Sequence, residues 1–203
     1  MNFHTWLAFL AGVFLICGSP GPNMLQVMAT GATHGLRRAF PVMAGCFIPV
    51  FIMICASVAG VGVIIQSFPA LFDALRYAGA TYLVWIGIQS WRAPVSEDPV
   101  GVTPVPGKNL FGRGLAVGVS NPKAMLFATA FFPQFLDPAA SQGVQCAIML
   151  ATFGVVEFSW YFVYAGLGSR LQKTLQRPSV QKKFNRATGG LFIAFGLWMA
   201  FHL

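Results

Sequence analysis

Long apolar runs separated by short basic clusters set the pattern of this chain. A helix needs about 20 apolar residues to cross a hydrocarbon core of roughly 30 Å. Six runs meet or approach that length, near residues 3–29, 41–66, 74–91, 110–136, 142–168 and 188–203, the last being the shortest. The pattern predicts an all-α polytopic membrane protein with six transmembrane helices.

The basic clusters give the direction of the crossings, because loops on the cytoplasmic side collect Lys and Arg. Arg37 and Arg38 follow the first run. Arg92, Lys108 and Arg113 flank the connection after the third, and Arg170, Lys173, Arg177, Lys182, Lys183 and Arg186 follow the fifth. If every run crosses, these three connections share one side. The opposite connections, near 67–73 and 137–141, hold Asp73 and Asp137 and no Lys or Arg. Arg76, just inside the third run, is the one charge against this order. Both termini are therefore expected on the periplasmic side and the basic loops in the cytoplasm. The six-residue cluster would also suit anionic lipid headgroups.

Residues 93–109 carry four prolines, two acids and no helical period, and read as a flexible cytoplasmic linker. It divides the chain into residues 1–92 and 110–203, with three runs each. The halves echo one another. Ser19-Pro20-Gly21-Pro22-Asn23-Met24-Leu25 interrupts the first run, and Ser120-Asn121-Pro122-Lys123-Ala124-Met125-Leu126 interrupts the fourth. More faintly, Tyr82-Leu83-Val84-Trp85-Ile86-Gly87 matches Leu191-Phe192-Ile193-Ala194-Phe195-Gly196. Three crossings per half is an odd number, so the second half must enter the membrane upside down. The expected architecture is two inverted three-helix repeats with broken first and fourth helices, a plan that recurs in secondary transporters.

Proline lacks an N–H and clashes with the preceding turn, so Pro20 and Pro22 free carbonyls from the helical ladder. An unpaired backbone group in lipid costs several kcal/mol, so such a segment belongs inside protein or beside a wet cavity. A helix starting after the break offers N–H groups and its positive dipole end to a carboxylate. Asn121-Pro122 has the chemistry of a helix start, Asn at N-cap and Pro at N1. Some fifteen residues of helix after each break would cover about 22 Å. That places the first break nearer the outer face and the second nearer the cytoplasm, unless the segments tilt. The plainer alternative is a pair of kinks that serve packing.

Composition narrows the class. Of 203 residues, 56% are hydrophobic and 9% charged, against about 25% charged in a usual soluble domain. The mean hydropathy is +0.68. A soluble enzyme, a disordered chain and a disulfide scaffold are excluded. The net charge of +8 sits between apolar runs rather than along a groove, so nucleic acid is not an expected partner. Cys17, Cys46, Cys55 and Cys146 lie inside apolar runs and read as small buried side chains. His4, His34 and His202 sit near run ends, and neither metal nor cofactor is expected. The first 36 residues contain no Lys or Arg, so no signal peptide is expected.

Two charges inside the runs carry candidate chemistry. Glu157 lies in the middle of the fifth, where a carboxylate must face the protein interior and suits a group that gains and loses a proton. Tyr161 and Tyr164 share its helical face. The alternative is a structural carboxylate bonded across a helix interface. Lys123 follows the second break, where it would meet a substrate carboxylate, pair with Glu157 or snorkel to the interface. Asn23 and Gln26 project after the first break, Gln26 alternatively bridging helices. Gly114 and Gly118 form a GxxxG pair, more often packing than dimer contact.

These residues bring a family into view. Pro20-Gly21-Pro22-Asn23 with the loop ending in Arg37-Arg38, Ala78-Gly79-Ala80-Thr81-Tyr82-Leu83 with Gly87, Asn121-Pro122-Lys123-Ala124, Phe131-Phe132-Pro133-Gln134-Phe135, and Glu157 before Trp160 resemble the lysine exporter and homoserine/threonine resistance (LysE/RhtB) family. The likeness runs through nearly the whole chain. It implies a six-span bacterial inner-membrane protein that moves amino acids or close derivatives out of the cytoplasm, generally with the proton gradient. It also implies that both proline-bearing motifs belong to the transport core. Many relatives carry an acid in the second span where this chain reads Gly45-Cys46-Phe47-Ile48-Pro49-Val50, which shifts weight onto Glu157.

The expected function is amino-acid efflux by proton antiport, with a passive channel for small polar solutes as the alternative and no enzymatic activity. The substrate-binding residues are expected to be Pro20, Gly21, Pro22, Asn23, Asn121, Pro122, Lys123 and Tyr161, with Glu157 coupling to protons. Expected partners are the amino acid, protons and membrane lipids, with a homodimer left open.

Overall fold

A computed structural model describes residues 1–67, 69–93, 107–137, 140–168 and 177–202. Most of the linker at 93–109, together with Arg170 and Lys173, falls outside the described residues. Within them the chain is helical: α1 Phe3–Gly18, α2 Pro22–His34, α3 Leu36–Ser67, α4 Pro69–Arg92, α5 Leu110–Ser120, α6 Pro122–Leu126, α7 Gln142–Gly166 and α8 Pro178–His202. A π-helical turn at Phe127–Phe131 and a 3₁₀ turn at Phe132–Phe135 follow α6. Leu36–Val58 and Gln142–Gly166 are each long and apolar enough to cross a membrane. So are two bent pairs taken together, α1 with α2 at 55° and α5 onward from Pro122 at 60°. This is a membrane protein.

Each boundary has a local cause. Asn2 caps α1 by accepting from the Thr5 N–H, and Asn109 caps α5 by accepting from that of Gly112. Gly35, at φ 79°, ends α2 in a conformation open to glycine and lets α3 begin at once. α3 continues through Pro41 and Pro49 as one helix of 32 residues. α8 starts at Pro178, well before the apolar run at 188, because a proline at the first helical position costs no hydrogen bond.

The second break departs from expectation. After α2 the chain is regular, but α6 lasts five residues before the backbone widens to the π turn and tightens to 3₁₀. The fifteen-residue helix expected after Pro122 is thus irregular. Phe127, Phe131, Phe132 and Phe135 are buried, and Phe9 of α1 sits among the last three at ring separations of 5.2–6.1 Å. Turning four phenylalanines inward over nine residues needs a changing helical pitch.

Glycine sets the close helix crossings. An added Cβ at Gly45 would come within 2.3 Å of the Phe111 carbonyl, and one at Gly114 within 2.4 Å of the Val42 carbonyl. Gly118 meets Cys46 and Pro49, so the GxxxG pair serves the α3–α5 contact within the chain. Gly87 packs on Gly189 and Ile193, and Gly196 on Ala80 and Val84, which seats α4 and α8 antiparallel along the two echoing segments. α1 lies parallel to α7. Trp6 donates to Thr152, Trp160 to the Phe14 carbonyl and Tyr164 to the Gly18 carbonyl, each pair 146 positions apart.

Candidate functional site

The two breaks meet. Lys123, three residues after Ser120, donates from Nζ to the Ser19 carbonyl at 2.7 Å and to Ser19 Oγ. The missing side chain of Gly21 makes room for the lysine stem, since a Cβ there would stand 3.2 Å from Lys123 Cδ. The two breaks are therefore in contact, not apart as straight helices would place them, and bends of 55° and 60° turn the segments aside from a straight crossing.

Local sequence makes the breaks unlike. At the first, Ser19 ends α1, its N–H returning to Leu15 and Ile16 carbonyls and its Oγ donating to that of Ile16 at 2.8 Å. Gly21 is the N-cap of α2, so no side chain caps it, and Pro22 stands at N1. Among the described residues the N–H groups of this helix start have no side-chain acceptor. At the second, Asn121 Oδ1 accepts from the N–H groups of Lys123 at 3.1 Å and Ala124 at 3.4 Å. Asn121 as N-cap and Pro122 at N1 follow the expected pattern. The donors that a carboxylate would use there are already taken.

Around this junction lies a hollow of about 30 Å³, lined by Gly21, Asn23, Asn121, Lys123, Glu157 and Cys17 with an apolar wall that includes Met24, Phe127 and Phe153. That is room for about two waters. Glu157 is 6% exposed, and the Cys17 thiol and Tyr161 hydroxyl are beside its carboxylate. Among the described residues the hydrogen bonds of the Lys123 ammonium go to Ser19. Asn23 is 4% exposed, and its Nδ2 reaches the Tyr161 hydroxyl at 3.4 Å and the Cys46 carbonyl at 3.5 Å. Among the described residues its buried Oδ1 has no hydrogen-bond partner. A lone acceptor in such a place is costly unless something donates to it.

Gly21, Asn23, Asn121, Lys123 and Glu157 are thus brought to one hollow, and Tyr161 adjoins it through Asn23. Pro20 is half-buried, and Pro22 and Pro122 are exposed; none of the three lines it. Their rings open the backbone while the neighbouring residues face inward. Cys17 read from the sequence only as a small buried side chain, and Ser19, Phe127 and Phe153 were not among the expected site residues. Ser19 opens the first proline motif, which was a usable signal; nothing local marks the other three.

The chain carries one carboxylate, one ammonium, a stretch of uncapped helix start and an unmatched amide oxygen around a hollow between broken helices. Such a set complements a small zwitterion. Comparison with known proteins agrees in kind. Residues 6–202 match the family described as LysE type translocator. A homoserine/homoserine lactone efflux protein of Salmonella typhimurium is 35% identical over 98% of each chain. A leucine efflux protein of Enterobacter sp. (strain 638) is 32% identical over 98% of this chain and 95% of its own. An uncharacterized membrane protein of Vibrio cholerae is 27% identical over 98% of each. No solved structure matches the chain.

Proposed function

The chain belongs to the LysE-type translocator family, and from that footing we propose that it exports amino acids or close derivatives across a bacterial inner membrane in exchange for protons. Relatives named for efflux of homoserine and of leucine support the substrate class. The observation that carries the reading is the junction of the two breaks at a hollow holding a buried Glu157 and Lys123.

In this reading the chain makes six crossings as two inverted repeats, residues 1–92 and 110–203, joined by a cytoplasmic linker, with both termini periplasmic. Packing supports it. α1 and α2 contact α7 as α5 and α6 contact α3, which is the exchange that a pseudo-two-fold axis requires. The pairs α1–α7 and α3–α5 are parallel and α4–α8 antiparallel, as six alternating passes demand.

The start of α2, held open by Pro22 and lined by Gly21 and Asn23, receives the substrate carboxylate, and Lys123 approaches it from the second break. Pro20 and Pro122 act by holding the breaks open, and Asn121 by fixing the turn from which Lys123 projects. Glu157 supplies the negative charge that draws the ammonium into the hollow, with Tyr161 and Asn23 beside it. Protonation of Glu157 removes the charge that holds the ammonium, and the substrate leaves. A hollow of about 30 Å³ does not hold a leucine, so the halves must part for loading, which fits alternating access better than an open pore.

The test is export of a panel of radiolabelled amino acids from vesicles carrying the purified protein, with and without an imposed pH gradient. Saturable, uphill, gradient-dependent export is expected. Unsaturable flux that ignores the gradient makes the protein a channel. Glu157→Gln should lower gradient-driven export at least about tenfold and flatten its pH dependence; wild-type rate and pH profile in that variant remove Glu157 from the mechanism.

A further inference from the structure

The seat of Lys123 is a cation site in its own right. Ser19 is the C-cap of α1, where a 16-residue helix presents its negative dipole end and its last carbonyls. The Ser19 carbonyl and Oγ both accept from the ammonium, while Tyr164 holds the neighbouring Gly18 carbonyl at 2.8 Å. A charge-assisted bond to a carbonyl and a hydroxyl is also what a substrate ammonium would seek. Asn23, which lines the hollow, carries a buried Oδ1 with no hydrogen-bond partner among the described residues. A lysine with a flexible four-carbon stem can leave such a seat without moving backbone. Its stem fills the notch left by Gly21, and withdrawing it enlarges the hollow that Lys123 lines.

We propose that Lys123 is a tethered stand-in for the substrate: in the empty carrier its ammonium occupies the Ser19 seat that the ammonium of the incoming amino acid takes over. The displaced lysine then turns to the substrate carboxylate. This rests on the export reading and adds to it an account of the empty carrier. The Lys123–Ser19 bond joins residues 104 positions apart, one from each half of the chain, so it closes the two breaks on one another when no substrate does. Loaded and empty carriers then both hold an ammonium at the Ser19 seat, with a bridge across the halves in each. Without the stand-in the loaded carrier still closes on its substrate, but the empty one lacks the bond that lets it close and return.

The distinction is between net efflux, which needs the empty return, and exchange of internal for external labelled substrate, which does not. Vesicles of wild type, Lys123→Met and Ser19→Ala are assayed for both with one substrate from the panel. In Lys123→Met both rates fall, net efflux about tenfold further than exchange. Propylammonium added to the same vesicles restores net efflux, because a free primary ammonium can fill the vacant seat. Ser19→Ala, which removes one of the two acceptors and keeps the lysine, lowers net efflux severalfold more than exchange and decides the matter should the methionine variant not fold. Parallel loss of both rates with no amine rescue, beside an active wild type, overturns the stand-in alone. A wild type inactive in both assays overturns the export reading and this inference with it.

Discussion

At the first break α2 starts behind Gly21, which has no side chain to turn back on the N–H groups; at the second, Asn121 Oδ1 takes the N–H groups of Lys123 and Ala124. Both motifs read as a polar, proline-bearing interruption in an apolar run, and both bend the chain by a similar angle, 55° and 60°. Their chemistry has nonetheless diverged. The first leaves donors and carbonyls open on either side of Ser19-Pro20-Gly21-Pro22. The second satisfies itself and contributes a cation on a long arm. Sameness of backbone gives a pair of bends that can sit together; difference of side chains gives the pair one accepting and one reaching member. The glycine has a second duty, since any side chain at 21 would meet the lysine stem.

Exchanging the caps attacks that contrast directly. Gly21→Asn places the second break's cap in the first, where the backbone at φ −148° accepts any residue. An asparagine there should bond its own helix start, offsetting its crowding of the Lys123 stem, so that melting temperature in detergent stays about unchanged while export falls about tenfold or more. Export at the wild-type rate would mean that the open donors of α2 do not hold substrate.

The converse, Asn121→Ala, uncaps the second break. Loss of a buried N-cap costs about 1–2 kcal/mol, read as a lower melting temperature, and Asn121→Asp or Asn121→Ser should recover most of it. If Asn121→Ala lowers export with no change in stability, then Asn121 touches substrate and is not chiefly a cap.

Tyr164→Phe gives the smallest effect. It removes the hydroxyl that donates to the Gly18 carbonyl, and leaves that carbonyl unpaired at the end of α1 at a cost of about 1 kcal/mol. Melting should drop slightly and export remain within about twofold. A loss as large as that from Gly21→Asn would bring Tyr164 into the transport site.

The membrane character, the two breaks and the odd acid were all present in the linear order. Apolar length is a local property, and so is the helix-breaking chemistry of Pro20, Pro22 and Pro122, which needs no neighbour to act. Glu157 stood out because it is the one acid in the middle of an apolar run. The cap at Asn121 was legible for the same reason, since its partners are two and three residues away.

What the chain order left open was everything settled by contact between distant segments. Periodicity set no pitch for 127–135, where packing of Phe131, Phe132 and Phe135 around Phe9 shortens α6 and brings in the π and 3₁₀ turns. Counting residues placed the breaks at different depths, because the rise per residue says nothing of tilt; the fold puts Ser19 and Lys123 within a hydrogen bond. By sequence Lys123 had two candidate partners, a substrate carboxylate and Glu157, or a place at the interface; the fold gives it the Ser19 carbonyl. A main-chain oxygen is present at every residue and carries no mark in the sequence. Which one is left free, and which charge reaches it, is fixed only when two helix ends 104 residues apart are folded onto each other.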